Sequence, residues 1–306
     1  MFDSLWFYLE PLLGFALLVG IGLVLRATKV VKSEASQPLN NIITYVALPA
    51  FVFNAIYGAE FTFDLLKVVA TGWIILPVLL LLAWLLSRLL KLSKALTGAT
   101  MLCVAFANSG YIGYPLTLAI FGANAMPTSV FYDIFVTVIS LVLVGIPLAA
   151  YYGSSGGRRF NPLLELLRMP AVWGLVLAVV LRGFVLPEVL ANVIDMLAAT
   201  TAPLIMLSVG LSLSPRKVVG NLRLILGIGI IRLLIAPLLA FVVSLLLLGS
   251  GLTQQIVTFE ASMPVVMLGL VLSQRYKLDT PFVATMIFIS ICLSAITLPA
   301  LQLLLF

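Results

Sequence analysis

In the run FANSGYIGYPLTLAIFG, residues 106–122, an amide, a hydroxyl, glycines and a proline interrupt an otherwise apolar stretch. Asn108 brings donors and an acceptor, and Ser109 brings a hydroxyl. Pro115 lacks an N–H, and its ring clashes with the carbonyl four residues earlier. Gly110 and Gly113 let the chain unwind and approach a neighbour closely. Unwinding frees backbone N–H groups, and half-helix N-termini carry a partial positive charge suited to an anion. A second segment, EASMPVVMLG at 260–269, sets Ser262, Met263 and Pro264 in a similar pattern. Two facing half-helices would hold an anion with few formal charges. The plain alternative for a lone proline is a kink packed against its neighbours, and Pro49, Pro77, Pro203 and Pro237 are assigned to kinks.

Charges inside apolar runs are costly and point to function. Asp133 lies in SVFYDIFVT, Glu260 one turn before Pro264, and Arg232 in RLLIAPLLA. Arg232 and Glu260 are read either as a structural ion pair or as coupling charges. Asp133 has no nearby cation in the sequence and is read as a substrate or proton-coupling residue, against a hydrogen-bonded structural carboxylate. Asp195 is assigned to a structural or interfacial role, and Asp64 with Lys67, one turn apart, to an interfacial ion pair. Tyr111 and Tyr114 flank the first break and either line a cavity or pack. Gly227 and Gly229 are assigned to helix packing.

The elements that must position these groups follow from composition. Of 306 residues, 63% are apolar and 9% charged, and the mean hydropathy is +1.24. Soluble domains carry about 25% charged residues, so the chain is an integral membrane protein. Cys103 and Cys292 lie in apolar runs and are read as small buried hydrophobes. With no histidine and no metal-ligand or redox spacing, the sequence implies no cofactor and no metal.

A span takes about 20 largely apolar residues. Ten are expected, near 7–25, 39–57, 67–87, 96–121, 129–152, 170–187, 189–213, 221–248, 253–274 and 280–305. The first run precedes its basic residues, unlike a secretory signal, and is read as a retained span. Arg26, Lys29 and Lys32 follow span one; Arg88, Lys91 and Lys94 follow span three. Arg158, Arg159 and Arg168 follow span five, Arg216, Lys217 and Arg223 span seven, and Arg275 and Lys277 span nine. These are 14 of the 17 Lys and Arg residues, which puts the odd loops in the cytoplasm and both termini outside. Their placement accounts for the net charge of +6 without nucleic acid. Trp6 and Tyr8 read as interfacial anchors.

Five spans precede GSSGGRRFNP, residues 153–162, and five follow. Five is odd, so similar halves have opposite orientations. Prolines recur at matching places: Pro49 with Pro203, Pro77 with Pro237, and the 108–115 break with Pro264. The expected fold is all-α, ten transmembrane helices in two inverted five-helix repeats, 1–153 and 160–306, with helices 4 and 9 broken at a crossover. Such repeats are those of secondary transporters, with substrate bound near the midplane.

With these motifs in hand, the chain resembles the auxin efflux carrier family, the bacterial relatives of plant auxin exporters. NSGYIGYPL, residues 108–116, looks like that family's fourth-span crossover, and ASMPVVMLGLVLSQRYKLD, residues 261–279, like its ninth-span crossover. The resemblance covers essentially the whole chain. It implies a scaffold of helices 1, 2, 6 and 7 and a transport unit of helices 3–5 and 8–10 that moves elevator-fashion. It also implies substrate at the crossover, contacted by Asn108 and the residues around Pro264, organic-anion substrates such as auxin or malonate, and a homodimer in the inner membrane. Asp133 stands where the plant proteins carry a neutral amide.

Competing readings are a sodium–proton antiporter or a sodium–bile acid symporter type, with protons or sodium as coupling ions. The antiporter would prefer two adjacent carboxylates, and Asp133 is alone in its span. An enzyme is disfavoured for want of a nucleophile–base spacing, and a sensor for want of a signalling domain.

Overall fold

Apolar runs this long fold as helices because the bilayer core offers no partner for backbone N–H and C=O groups. A computed structural model describes residues 2–31, 36–154, 161–212 and 221–306. Lys32, Arg158, Arg159, Arg216, Lys217 and most of the 153–162 linker lie outside the described residues, as do the side chains of Trp6 and Tyr8. Among the described residues the chain is all-helical, with one isolated antiparallel bridge between Ala107 and Val265.

Among the described residues, six helices are long and apolar enough to cross a membrane: Gln37–Tyr57, Phe63–Leu89, Ala123–Tyr152, Glu188–Ser212, Leu222–Leu248 and Thr280–Leu305. Three shorter apolar stretches are Leu13–Ala27, Lys94–Ala105 and Pro170–Val180. The expected span 96–121 is broken into Lys94–Ala105 and Tyr114–Phe121, and the expected span 253–274 into Leu252–Ala261 and Leu268–Arg275.

Several of these helices widen into π-turns, and most of the widening has a local cause. The turns Ile43–Ala47, Ser109–Gly113, Leu141–Gly145 and Ile231–Ile235 each contain the residue four before a proline: Pro49, Pro115, Pro147 and Pro237. The ring clashes with that residue's carbonyl, and an enlarged turn removes the clash. Pro77 and Pro203 instead sit inside unbroken α-helix. The longest π-stretch, Tyr132–Val138, has no proline four residues beyond its centre, and it carries Asp133. Such bulges concentrate at functional sites.

The chain divides into two compact units. The first comprises Met1–Phe61, Tyr114–Val130 and Leu163–Ser214. Here the first helix packs on Glu188–Ser212 backbone to backbone: a Cβ on Gly210 would lie 2.9 Å from Gly22 Cα, and it would overlap the Val19 carbonyl. Gly174 lies likewise against Pro49, and the Thr201 hydroxyl donates to the Ala47 carbonyl at 2.9 Å. Arg26 Nη1 donates to the Leu211 and Ser212 carbonyls at 2.9 and 3.2 Å.

The second unit comprises Thr62–Gly113, Phe131–Pro162 and Pro215–Phe306. Gly227 packs against Leu86 and Gly229 against Leu293. Asp64 and Lys67 form an exposed ion pair at 2.8 Å at the start of the Phe63–Leu89 helix. Cys103 is buried, but Cys292 is exposed, which corrects the expectation of two buried thiols: apolar positions on a lipid-facing helix need no burial in protein. Lys29, Lys91 and Lys277 have positive φ of 59°, 50° and 55°, a left-handed conformation typical just past helix ends.

Candidate functional site

The first break begins where the Lys94–Ala105 helix gives way to extended backbone at Phe106. Residues 106–108 stay unwound, and the chain re-enters helix through the π-turn Ser109–Gly113, where the N–H groups of Ile112 and Gly113 both donate to the Asn108 carbonyl at 3.1 Å. The second break follows Ala261 and runs to Met267. The two unwound segments hydrogen-bond antiparallel: Asn108 N–H donates to the Pro264 carbonyl at 2.8 Å, and Val266 N–H to the Phe106 carbonyl at 3.2 Å. Backbone groups that each helix gives up are thereby met by the other, which is how irregular backbone survives at membrane depth. Val265 N–H donates to Ser290 Oγ at 3.1 Å, from the Thr280–Leu305 helix.

The end of the Leu252–Ala261 helix is fully accounted for. The Thr258 carbonyl accepts from Ser262 Oγ at 2.7 Å, and the Phe259 and Glu260 carbonyls accept from the N–H groups of Ser262 and Met263 at 3.0 and 3.3 Å. The Ala261 carbonyl accepts from Arg232 Nη2. Arg232 Nη1 donates to the Val104 carbonyl at 3.2 Å, in the last turn of the other broken helix.

Two buried carboxylates, Asp133 and Glu260, lie against the glycines of the Ser109–Gly113 π-turn. A Cβ on Gly110 would stand 3.0 Å from Asp133 Oδ2, and one on Gly113 would overlap Glu260 Oε2. Glycine is required at 110 and 113 because a carboxylate occupies the space a side chain would take. The Ser109 hydroxyl donates to Asp133 Oδ1 at 2.6 Å and lies 2.7 Å from Thr137 Oγ1. Asp133 is 6% exposed and Glu260 0%. Asn108 is 3% exposed, and its Nδ2 has no hydrogen-bond partner among the described residues. A small cavity of about 20 Å³, lined by Phe106, Ala107, Tyr132, Thr137, Ser140 and Arg232 among others, adjoins the crossing. That is room for about one water molecule, less than a malonate-sized anion needs.

Asn108, Ser109, Gly110, Gly113, Asp133, Arg232, Glu260, Ser262, Met263 and Pro264 all belong to the second unit; Pro115 belongs to the first. There Pro115 is buried in the Tyr114–Phe121 helix, and Tyr114 stacks on Phe51 at 5.3 Å between ring centroids. Sequence reasoning missed Thr137 and Ser290. Thr137 stands four residues after Asp133, hence on the same helix face, and was open to detection; nothing local marks Ser290.

All-helical structure and six membrane-length apolar helices among the described residues, with a buried, partly charged helix crossing, mark a multi-pass membrane protein of the transporter class. Residues 7–159 and 158–301 match the membrane transport protein family, and the chain belongs to that family, the one to which the crossover motifs point. It is 32% identical over 296 residues to an uncharacterized transporter of Methanothermobacter thermautotrophicus, an alignment covering 95% of this chain and 96% of the relative. It is 28% identical over 299 residues to an uncharacterized transporter of Methanocaldococcus jannaschii, again covering 95% and 96%. The family and these relatives are transporters, not enzymes.

Proposed function

We propose that this transporter is a secondary carrier of small organic anions, carboxylates of the malonate or auxin type, working by elevator-type alternating access. The reading takes ten spans as two inverted repeats, with helices 1, 2, 6 and 7 as scaffold and helices 3–5 and 8–10 as the moving part. The division into two compact units supports it, since the second unit holds both breaks and most of helices 3–5 and 8–10. The protein would work as a homodimer in the inner membrane, with both termini outside; the excess of basic residues in the odd loops supports that orientation.

The observation that carries the proposal is the buried Asn108 amide beside the paired breaks. A donor left without a partner costs about 1–3 kcal/mol, and a carboxylate acceptor at the crossing would meet it. Few fixed cations are then needed, because half-helix N-termini supply positive potential. The test is uptake of labelled malonate and indole-3-acetate into proteoliposomes by wild type and Asn108→Ala, with and without an inward proton gradient. Saturable uptake lost in the variant supports the site; uptake unchanged in it sinks the site.

Coupling is a second layer of the reading. Asp133, with the Ser109 hydroxyl at 2.6 Å and Thr137 beyond it, is a carboxylate with oxygen neighbours, suited to carry a proton or contact sodium. Glu260 against Gly113 is the other candidate. A proton or sodium gradient that drives uptake in wild type but not in Asp133→Asn supports coupling through Asp133.

A further inference from the structure

We infer that Arg232 is a positioning residue that fixes the crossing of the two broken helices by neutralising both of their C-terminal ends. The inference rests on the reading of the crossing as the transport site. Arg232 is 2% exposed, and one guanidinium nitrogen donates to Val104 while another donates to Ala261. These carbonyls lie in the last turns of Lys94–Ala105 and Leu252–Ala261, where a helix has no internal donors to offer. Each helix C-terminus carries roughly half a negative charge. Two together are about one elementary charge, the amount a guanidinium balances.

The fork geometry of arginine suits this task, because its donors are held in a fixed plane and two can serve different acceptors at once. A lysine ammonium is a point charge on a flexible stem. The local backbone helps: Arg232 sits in the π-turn Ile231–Ile235 that precedes Pro237. Arg232 also lines the small cavity beside Phe106 and Ala107. By holding residues 104 and 261, it sets where the next residues of each chain unwind, and so where Asn108 meets Pro264.

The test needs no identified substrate. Hydrogen exchange is followed by mass spectrometry on the full-length carrier in nanodiscs, as wild type, Arg232→Gln and Arg232→Lys. The expected result for Arg232→Gln is at least tenfold faster exchange in peptides covering 104–113 and 259–268, with the Glu188–Ser212 helix unchanged. Arg232→Lys should fall between Arg232→Gln and wild type. Unchanged exchange at both breaks, or acceleration spread evenly over all helices, overturns the inference. If Arg232→Gln yields no folded protein, Arg232→Lys decides: faster exchange at both breaks supports the inference, and wild-type exchange overturns it. Malonate uptake adds a second readout: a positioning role raises KM severalfold at a given amount of folded carrier, whereas loss of folded protein alone lowers Vmax and leaves KM in place. Asn108→Ala, run in parallel, separates the two ideas. Unchanged uptake there removes the crossing as the transport site, while the exchange data still judge Arg232.

Discussion

The backbone N–H of Asn108 donates to the carbonyl of Pro264 at 2.8 Å, while the side-chain Nδ2 of the same asparagine, buried, has no partner among the described residues. Two roles are therefore separable within one residue: the backbone joins the two breaks, and the amide is the group that the proposed site assigns to substrate.

From that division, Asn108→Ala should keep the fold and lose the activity. The alanine retains the N–H that pairs with Pro264 and removes a donor whose burial costs about 1–3 kcal/mol. Its thermal midpoint in detergent should equal or exceed that of wild type, while saturable malonate uptake falls at least tenfold. A midpoint several degrees lower, with uptake lost in proportion, would assign Asn108 to the fold instead.

Gly113→Ala should be harmful because of Glu260. The added Cβ overlaps the buried carboxylate, and overpacking of this kind costs about 1–3 kcal/mol. The same substitution made in a Glu260→Ala background should cost much less, since the clash is gone. Thermal unfolding of the four proteins measures the difference. Equal costs in both backgrounds would remove Glu260 as the reason for glycine at 113.

Ser109 and Asp133 should behave as a coupled pair. A typical intramolecular hydrogen bond is worth about 0.5–1.5 kcal/mol and one to an ionised acceptor about 1.5–3 kcal/mol, so Ser109→Ala should lower stability by about 1–2 kcal/mol. In contact pairs the two effects are not additive. The double variant Ser109→Ala with Asp133→Asn should lose less stability than the sum of the two single variants. Strict additivity in a thermal double-mutant cycle would contradict the 2.6 Å contact.

In the first unit, Gly210→Val should abolish folded protein where Gly227→Ala, in the second, is tolerated. At Gly210 the new side chain meets backbone of the facing helix, at Gly22 Cα and Leu23 N, and backbone cannot step aside. At Gly227 it meets the terminal methyls of Leu86, 2.9 and 3.0 Å away, which can rotate. Size-exclusion profiles of the two variants in mild detergent make the comparison. Comparable monodisperse yields would show that the Gly22–Gly210 approach is dispensable.

Much of this was legible in the sequence, for reasons that are local. Apolar content sets the solvent, and a bilayer leaves helices as the answer for runs that long. The break at 108–115 could be read from Gly110, Gly113 and Pro115 because proline and glycine act on their own backbone. The same logic reaches four of the π-turns, each placed by a proline downstream. At Pro77 and Pro203 α-helix continues through the proline without a π-turn.

What the chain alone determined is the medium, the helical class and the two breaks near Pro115 and Pro264, since each follows from side-chain transfer energies and backbone chemistry within a few residues. Only the tertiary structure decided which backbone groups of the two breaks bond to each other, that Arg232 spans Val104 and Ala261, that Glu260 fills the space beside Gly113, and that Cys292 is exposed. These depend on groups far apart in sequence arriving at one place. Hydropathy is blind to that choice, because in lipid an apolar face is satisfied equally by a neighbouring helix or by an acyl chain.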